Sequence, residues 1–432
     1  PFPASFQPVL SQIPAGPRSE LKVNRLPESI GHCEVAIPPT PNTPIHANRA
    51  FFANHLNRLL SDLEQQGLAR KLSGPLPDHI SNFSSNDYLG FSSSPKLIDA
   101  ARNALSNTVG AGAARLIGGN SLFHQRLESR LCQFKQTEAS LLFSTGYHAN
   151  VGTLPALVDA KDAVFSDALN HASIVDGCRI SRAKIHIYRH LDLDDLEKQL
   201  IGATNSKFRH RLIVTDAVFG MDGDCAPLSD LASLASRFGC QLMVDEAHAT
   251  GVYGPAGRGL VAEANVHVDL HVTTFGKALG TFGAAALSSR VIIDHLINNA
   301  RTFIFTTALP PCICAATHAA IDLLESPEGD RLRGLLKRNT QLLQNGLNRL
   351  GFSIRNPTSP IHPLLFSSAH AAIEASAALL KKGFFVQAIR PPTVPRGTSR
   401  LRIAVSALHE PEQIDGLIFA LSEIFSSKLV NP

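Results

Sequence analysis

Leu56, Leu59, Leu60 and Leu63 recur at helical spacing between polar neighbours, and this predicts an amphipathic helix over residues 48–68. Further along, the pattern changes to short, almost wholly apolar runs. Residues 212–214, 242–244, 270–273 and 284–287 read as buried strands, and Leu231, Leu234, Ala235 and Phe238 between the first two mark one face of a helix. Strands that alternate with helices need crossover connections, so the expected fold class is α/β, with a mostly parallel central sheet flanked by helices.

A break at Ser326-Pro327-Glu328-Gly329 precedes a helical pattern over 330–349 that stops at Gly351, and strand-like pieces follow at 362–366 and 400–405. The expected organisation has four parts: a Pro-rich extension over 1–50, a helix and connecting segment over 51–95, a large domain over 96–326 and a smaller α+β domain over 327–432. The first 50 residues hold ten of the 27 prolines, the composition of an extended arm rather than a packed unit. Glu20, Glu28 and Glu34 separate that arm from the acid-poor transit peptides of organelles.

A length of 432 residues with 44% hydrophobic and 18% charged positions suits a globular chain of two domains. The net charge of +4 is too dilute for the basic face that a phosphate backbone requires, so nucleic acid is not an expected partner. No apolar run approaches the roughly 18 to 20 residues of a membrane span, and no basic-then-apolar leader opens the sequence. Seven cysteines, at 33, 132, 178, 225, 240, 312 and 314, form no C-x-x-C pair and are expected as buried free thiols in a reducing, cytoplasmic setting.

Gly110-Ala111-Gly112-Ala113-Ala114-Arg115 approaches a dinucleotide fingerprint, but its sixth position is Arg115 and no strand leads into it. It reads better as a glycine loop beside a pocket. A stronger signal lies where strands end. Asp245 closes the run Met243-Val244 and His248 follows three residues later; one strand on, Thr273-Thr274-Phe275-Gly276-Lys277 places hydroxyls, a glycine and then a lysine. Open α/β sheets bind ligands at that edge.

A strand-end carboxylate, a lysine and small residues around them are what a pyridoxal phosphate (PLP) site requires. The lysine must lose its proton to join the cofactor aldehyde, so it needs a partly desolvated, cation-rich setting, and Lys277 is the candidate. A carboxylate must keep the pyridine nitrogen protonated. At about 4 Å and an effective dielectric near 20, such a pair is worth on the order of 4 kcal/mol, about three pKa units. Asp245 is the candidate for that role. His171, in Asn170-His171-Ala172-Ser173, could cover the ring face, and Thr145-Gly146-Tyr147 ahead of a helical stretch offers free N–H groups to a phosphate.

Asn82-Phe83-Ser84-Ser85-Asn86-Asp87-Tyr88-Leu89-Gly90, Asn170-His171-Ala172-Ser173, Met221-Asp222-Gly223-Asp224, Asp245-Glu246-Ala247-His248 and Thr274-Phe275-Gly276-Lys277 together resemble the α-oxoamine synthases. These are fold-type I PLP enzymes, and the resemblance runs in order over about residues 52–425. It implies that Lys277 binds the cofactor covalently, that Asp245 partners the ring nitrogen, and that His171 stacks on the ring and works on the substrate. Lys277, His171 and Asp245 are thus the implied catalytic residues. It implies further that His248 donates to the phenolic oxygen and that Gly146, Tyr147 and Thr274 contact the cofactor. Thr306 and Thr307 would reach the phosphate of a neighbouring subunit, implying a homodimer with shared sites. Arg402 would clamp the amino-acid carboxylate, with Arg70, Asn86 and Thr393 near the substrates.

Within the family, Ile389-Arg390-Pro391-Pro392-Thr393-Val394-Pro395 resembles the branch that joins L-alanine to a pimeloyl thioester, on CoA or an acyl carrier protein, in biotin synthesis. Glycine-using relatives usually have a different pair before the Val-Pro. Two other readings share most of these residues: an acyltransferase for glycine, serine or another acyl-CoA, and a non-catalytic subunit, against which the retained Lys277 argues. One departure stands out. Many relatives have a serine where this chain has Gly220, which removes a hydrogen bond worth about 1 kcal/mol net.

Overall fold

The buried runs do form strands. The computed structural model describes residues 44–429 apart from 73, 107, 354, 355 and 357, so Cys33 and most of the Pro-rich extension lie outside the described residues. The first helix, expected over 48–68, spans Pro44–Gln65 and crosses the point after residue 59 at which the chain divides into two units. Everything that follows concerns the second unit.

In chain order, the strands there are β1 (Ser81–Asn82), β2 (Ala139–Phe143), β3 (Ala163–Asp167), β4 (Lys184–Tyr188), β5 (Arg211–Asp216) and β6 (Gln241–Asp245). They continue with β7 (Leu270–Thr274), β8 (Ala284–Ser288), β9 (Ile361–Phe366), β10 (Phe384–Phe385), β11 (Ala388–Ile389) and β12 (Ser399–Ala404). Seven of them make one sheet in the order β2-β8-β7-β6-β5-β3-β4. From β7 to β4 all neighbours are parallel, while β8 runs antiparallel to both β7 and β2.

This order has a direct chemical consequence. Parallel strands point their carboxyl ends to one edge, so Asp167, Asp216, Asp245 and Thr274 arrive together there. Because β8 is reversed, β2 again points the same way, and the helix Gly146–Leu157 that follows it starts at the same edge.

Both faces of the sheet are covered, which explains strands that are apolar on both sides. Val164, Val214, Met243 and Val272 face one buried cluster, and Phe165, Ile213, Leu242 and Val244 face another. Each such side chain contributes roughly 1.5–3 kcal/mol on burial, so the strand ends are held by a stiff frame.

The C-terminal part forms a three-stranded antiparallel sheet, β11-β12-β9; against the expected 362–366 and 400–405, β9 starts one residue earlier and ends at the same residue, and β12 is shifted one residue earlier throughout. The helix expected over 330–349 spans Pro327–Arg349: Ser326 caps it, accepting from the Gly329 N–H, and Gly351 follows with φ of +82°. The six described cysteines are unpaired, but only Cys178 and Cys314 are buried and the other four are half-buried, so the expectation of burial holds for two. Among the described residues no helix is long and apolar enough to cross a membrane.

Candidate active site

A cavity of about 960 Å³ opens at the carboxyl edge of the large sheet, and Asp245, Lys277, His171, His248, Thr274 and Gly146 all line it, as do Tyr147, Asn86 and Thr393. Asp245 closes β6 with both carboxylate oxygens held: Oδ1 accepts from the Ala247 N–H at 2.8 Å and Oδ2 from Asn150 Nδ2 at 2.7 Å. Asn150 Nδ2 donates also to Ser173 Oγ at 2.9 Å. Asp216 stands opposite Asp245 in the β5–β6 register. Burial first, and then the Asp245 charge, hold the Asp216 carboxyl well above the usual carboxylate range.

Lys277 leaves β7 in a tight loop closed by hydrogen bonds from the Gly280 N–H to Lys277 O and from the Thr281 N–H to Phe275 O, each 2.8 Å. The fully buried Phe275 roots this loop in the core. Burial pulls the Lys277 ammonium down to about 8, against Asp245 and Asp216 and with help from Arg402. The amine is thereby poised to act as a base or nucleophile near neutrality.

His171 caps the helix Ala172–Ser181, its Nδ1 lying 2.7 Å from Ser173 Oγ, and its N–H donates to Asp216 Oδ2 at 2.7 Å. The preceding Asn170 locks this loop to the sheet, donating to Val214 O at 2.8 Å and accepting from the Asp216 N–H at 2.9 Å. At the opposite wall His248 is buried, its Nδ1 2.7 Å from Tyr88 OH. Burial, followed by the charges of Lys277 and Arg402, holds the ring well below the ordinary histidine range, so it is neutral.

Gly220 is explained by His248. A Cβ added at 220 would lie 2.3 Å from His248 Nε2, so a serine there would have to displace the ring. The histidine fills the space that the missing side chain leaves.

The other expected residues divide. Arg402 is buried behind the wall rather than lining it: its guanidinium donates to Gly220 O, to Asn86 Oδ1 at 2.9 Å and to Tyr88 OH at 3.4 Å. Arg70 is exposed and joins the cavity rim, Nη2 donating to Thr393 Oγ1 at 3.2 Å. Thr306 and Thr307 lie outside this cavity, beside a small recess with Arg115 and His124, and Thr307 bridges to Ala114. The glycine loop at 110–115 thus leads to that recess, where Arg115 pairs with Glu128 at 2.9 Å.

Sequence reading missed Asp216, Asn150, Ser173 and Tyr88 as parts of the site. Asp216 carried the same signal as Asp245, a carboxylate closing an apolar run. Asn150 had none, since only the docking of its helix onto β6 brings its amide to Asp245.

These groups fit PLP. Thr274 Oγ1 is buried without a hydrogen-bond partner at the strand tip. The Cβ that Gly146 lacks would sit 2.4 Å from Thr274 Cγ2, so backbone and hydroxyl together leave a cradle. The cradle lies at the start of a helix capped by Thr145, where N–H groups favour a phosphate. Asp245 would offer its carboxylate to the pyridine end, and Lys277 an amine of lowered pKa to the aldehyde.

Residues 78–421 match the family model of aminotransferase class I and II. An 8-amino-7-oxononanoate synthase of Anaeromyxobacter dehalogenans is 47% identical over 380 residues, covering 84% of this chain and 94% of that protein. A lysine-to-alanine variant of a serine palmitoyltransferase from S. paucimobilis, solved with a bound PLP–myriocin aldimine, superposes with a TM-score of 0.80 at 29% identity, covering 90% of this chain and 100% of the other. An 8-amino-7-oxononanoate synthase from Francisella tularensis gives 0.71 at 28% identity, covering 82% and 100%. The chain therefore belongs to the aminotransferase class I and II family and, within it, to the α-oxoamine synthases.

Proposed function

We propose that the chain is a PLP-dependent C-acyltransferase that condenses L-alanine with a pimeloyl thioester, carried on CoA or an acyl carrier protein. The carrier leaves as the free thiol, carbon dioxide is released and 8-amino-7-oxononanoate is formed, a step of biotin synthesis. The observation that carries the reaction type is the meeting of Lys277 and Asp245 in one cavity, with the amine drawn down to about 8. The choice of alanine and pimeloyl rests on the 47% identity to an 8-amino-7-oxononanoate synthase.

Bound PLP supplies an aldehyde and a ring that accepts the electron pair left by a departing proton. Lys277 Nζ would hold the cofactor through its aldehyde and, as a free amine, would take the proton from the alanine Cα. Asp245, fixed by Asn150 and Ala247, would face the ring nitrogen and hold a proton there. His171 is anchored through its backbone N–H to Asp216 and lines the cavity, where its ring would meet the substrates. Arg402, through its cation behind Asn86 and Gly220, orients the amino-acid carboxylate. Arg70 and Thr393, joined at the rim, flank the thioester.

We assign the working form as a homodimer in which Thr306 and Thr307 complete the partner's site. Leu116, Ile117 and Phe305 support this face, because they flank the Thr306 recess and are all more than half exposed. The unpaired cysteines support a reducing compartment, the cytoplasm.

A second reading, condensation of serine with a long-chain acyl-CoA, draws on the serine palmitoyltransferase superposition. Mass spectrometry of products from alanine, glycine and serine, each against a panel of acyl thioesters, decides between them. Alanine with pimeloyl thioester should give the dominant product, and preference for serine or a long acyl chain would overturn the first reading.

A further inference from the structure

Below the cavity lies a cluster of three titratable side chains that the chemistry above does not use. Asp167 closes β3, His190 follows β4 by two residues, and Asp224 belongs to the turn after β5. His190 Nδ1 is 2.8 Å from Asp167 Oδ1, and its Nε2 is 3.3 Å from Asp224 Oδ2. The side chains are 18%, 1% and 12% exposed in the order His190, Asp167, Asp224, so solvent screens this bridge only weakly.

Each end of the bridge leads to the site. Asp167 accepts from the Leu169 N–H at 2.8 Å and from the Leu191 N–H at 2.9 Å, and its carbonyl accepts from the Asn170 N–H at 3.2 Å. His171 is the next residue. Leu191 sits at φ of +56°, a costly conformation for a branched side chain, which the Asp167 bond helps to hold. On the other side, Asp224 O accepts from the Phe219 N–H at 2.9 Å, closing the turn that contains Gly220, and the Phe219 ring meets His190 edge-on at 4.4 Å. That turn is held from above by Arg402 on Gly220 O and by Arg400 on Met221 O at 3.2 Å.

We propose that His190, bound on both ring nitrogens by Asp167 and Asp224, is a positioning residue that ties the loop carrying His171 to the turn on which Arg402 is seated. It deepens the proposed function and rests on the roles given there to His171 and Arg402. Burial works against charge on the His190 ring, but the hydrogen bonds to Asp167 and Asp224 outweigh it and lift the ring to about 9. The imidazolium therefore persists at neutral pH, donating from both nitrogens. The charged groups facing it are these two carboxylates; the neighbouring Arg189 pairs with Asp192 and Asp195 instead.

The test is H190Q in the PLP-loaded enzyme. Its far-UV circular dichroism should match wild type, while amide hydrogen exchange quickens in residues 168–172 and 219–224. The kcat/KM for alanine should fall by about tenfold or more, as for loss of a hydrogen bond to a charged group, with the rise in KM exceeding the fall in kcat. Unchanged exchange in both segments, or a uniform fall in Tm with kcat/KM within about twofold of wild type, overturns the proposal. If H190Q does not fold, D224N removes one side of the bridge and is read the same way: quicker exchange at 219–224 supports it, and unchanged exchange overturns it. Hydrogen exchange needs no acyl donor, so failure of the proposed reaction and failure of the His190 role remain distinguishable.

Discussion

Asp216 and Asp245 stand directly opposite one another on adjacent parallel strands, yet their surroundings differ. Asp245 receives a hydrogen-bond donor on each oxygen, whereas Asp216 receives one, the His171 N–H on Oδ2. Two carboxylates this close resist joint ionisation, and burial keeps the proton on Asp216. We propose that Asp245, held by a donor on each oxygen, is the aspartate of the pair that faces the ring nitrogen.

Asp245→Asn should therefore cost on the order of 4 kcal/mol of transition-state stabilisation, about three orders of magnitude in kcat, with PLP still bound. Asn150→Ala should cost less, roughly 1.5–3 kcal/mol, because one of two fixed donors remains. Steady-state kinetics on both variants check the ranking; an Asp216→Asn enzyme slower than Asp245→Asn would reverse it.

Loading of the cofactor should report the Lys277 amine. Burial lowers its pKa in the folded protein to about 8, so the rate at which PLP-free enzyme captures PLP should rise with pH and level off above about 8. The sign for stability is the same: the unfolded chain holds the lysine proton more tightly, so folding gains as pH rises from about 8 towards the ordinary lysine value. Stopped-flow absorbance gives the capture profile, and a rise centred near 10 would contradict it. Lys277→Ala should fold, but borohydride should fix no cofactor to it.

Gly220→Ser should weaken rather than strengthen PLP binding, since its side chain meets His248 Nε2 where only 2.3 Å is available. Overpacking of this kind costs about 1–3 kcal/mol, or roughly five- to 150-fold in Kd. Adding His248→Ala should relieve the clash. Fluorescence titration of the two variants measures this, and tighter binding by Gly220→Ser alone would show that the ring yields without cost.

Beside Asp245, Glu246 forms a buried ion pair with Lys135 at 2.8 Å, both side chains being almost fully enclosed. Burial opposes ionisation of Glu246, but Lys135 and His271 override it and hold the carboxyl at about 2. Its folded pKa lies below the unfolded value, so this stabilisation is complete above about 4.5 and fades as pH falls towards about 2. Lys135→Met should cost about 3–5 kcal/mol in urea unfolding and shift acid unfolding to higher pH, because it strands a buried carboxylate. A loss under about 1 kcal/mol would show that the pair is dispensable.

Much of this site could be read from residue order because its chemistry sits at strand ends. A run such as Leu242-Met243-Val244 announces a buried parallel strand, and the polar residue that closes it must emerge at the ligand edge; Asp245 and Thr274 follow from that rule, and Lys277, three residues past a strand end, from the company of these two. What could not be read depends on docking between distant segments. Asn150 meets Asp245 across 95 positions, and Tyr88 meets His248 across 160. The consequence of Gly220 was equally hidden, since a missing hydroxyl is visible in a sequence and the ring that occupies its place is not. Boundaries drifted for local reasons: Ser326 starts the helix earlier than its apolar pattern because a cap precedes the first buried turn.

Arg402 and Arg400 grip residues 220 and 221 through carbonyl oxygens, a handle that every amino acid provides, and Arg400 adds the Asp222 carboxylate at 2.5 Å. That hold does not depend on the side chain at 220; what keeps the position a glycine is the His248 ring beside it. The two positions are thus bound to change together, while the cations behind them stay in place.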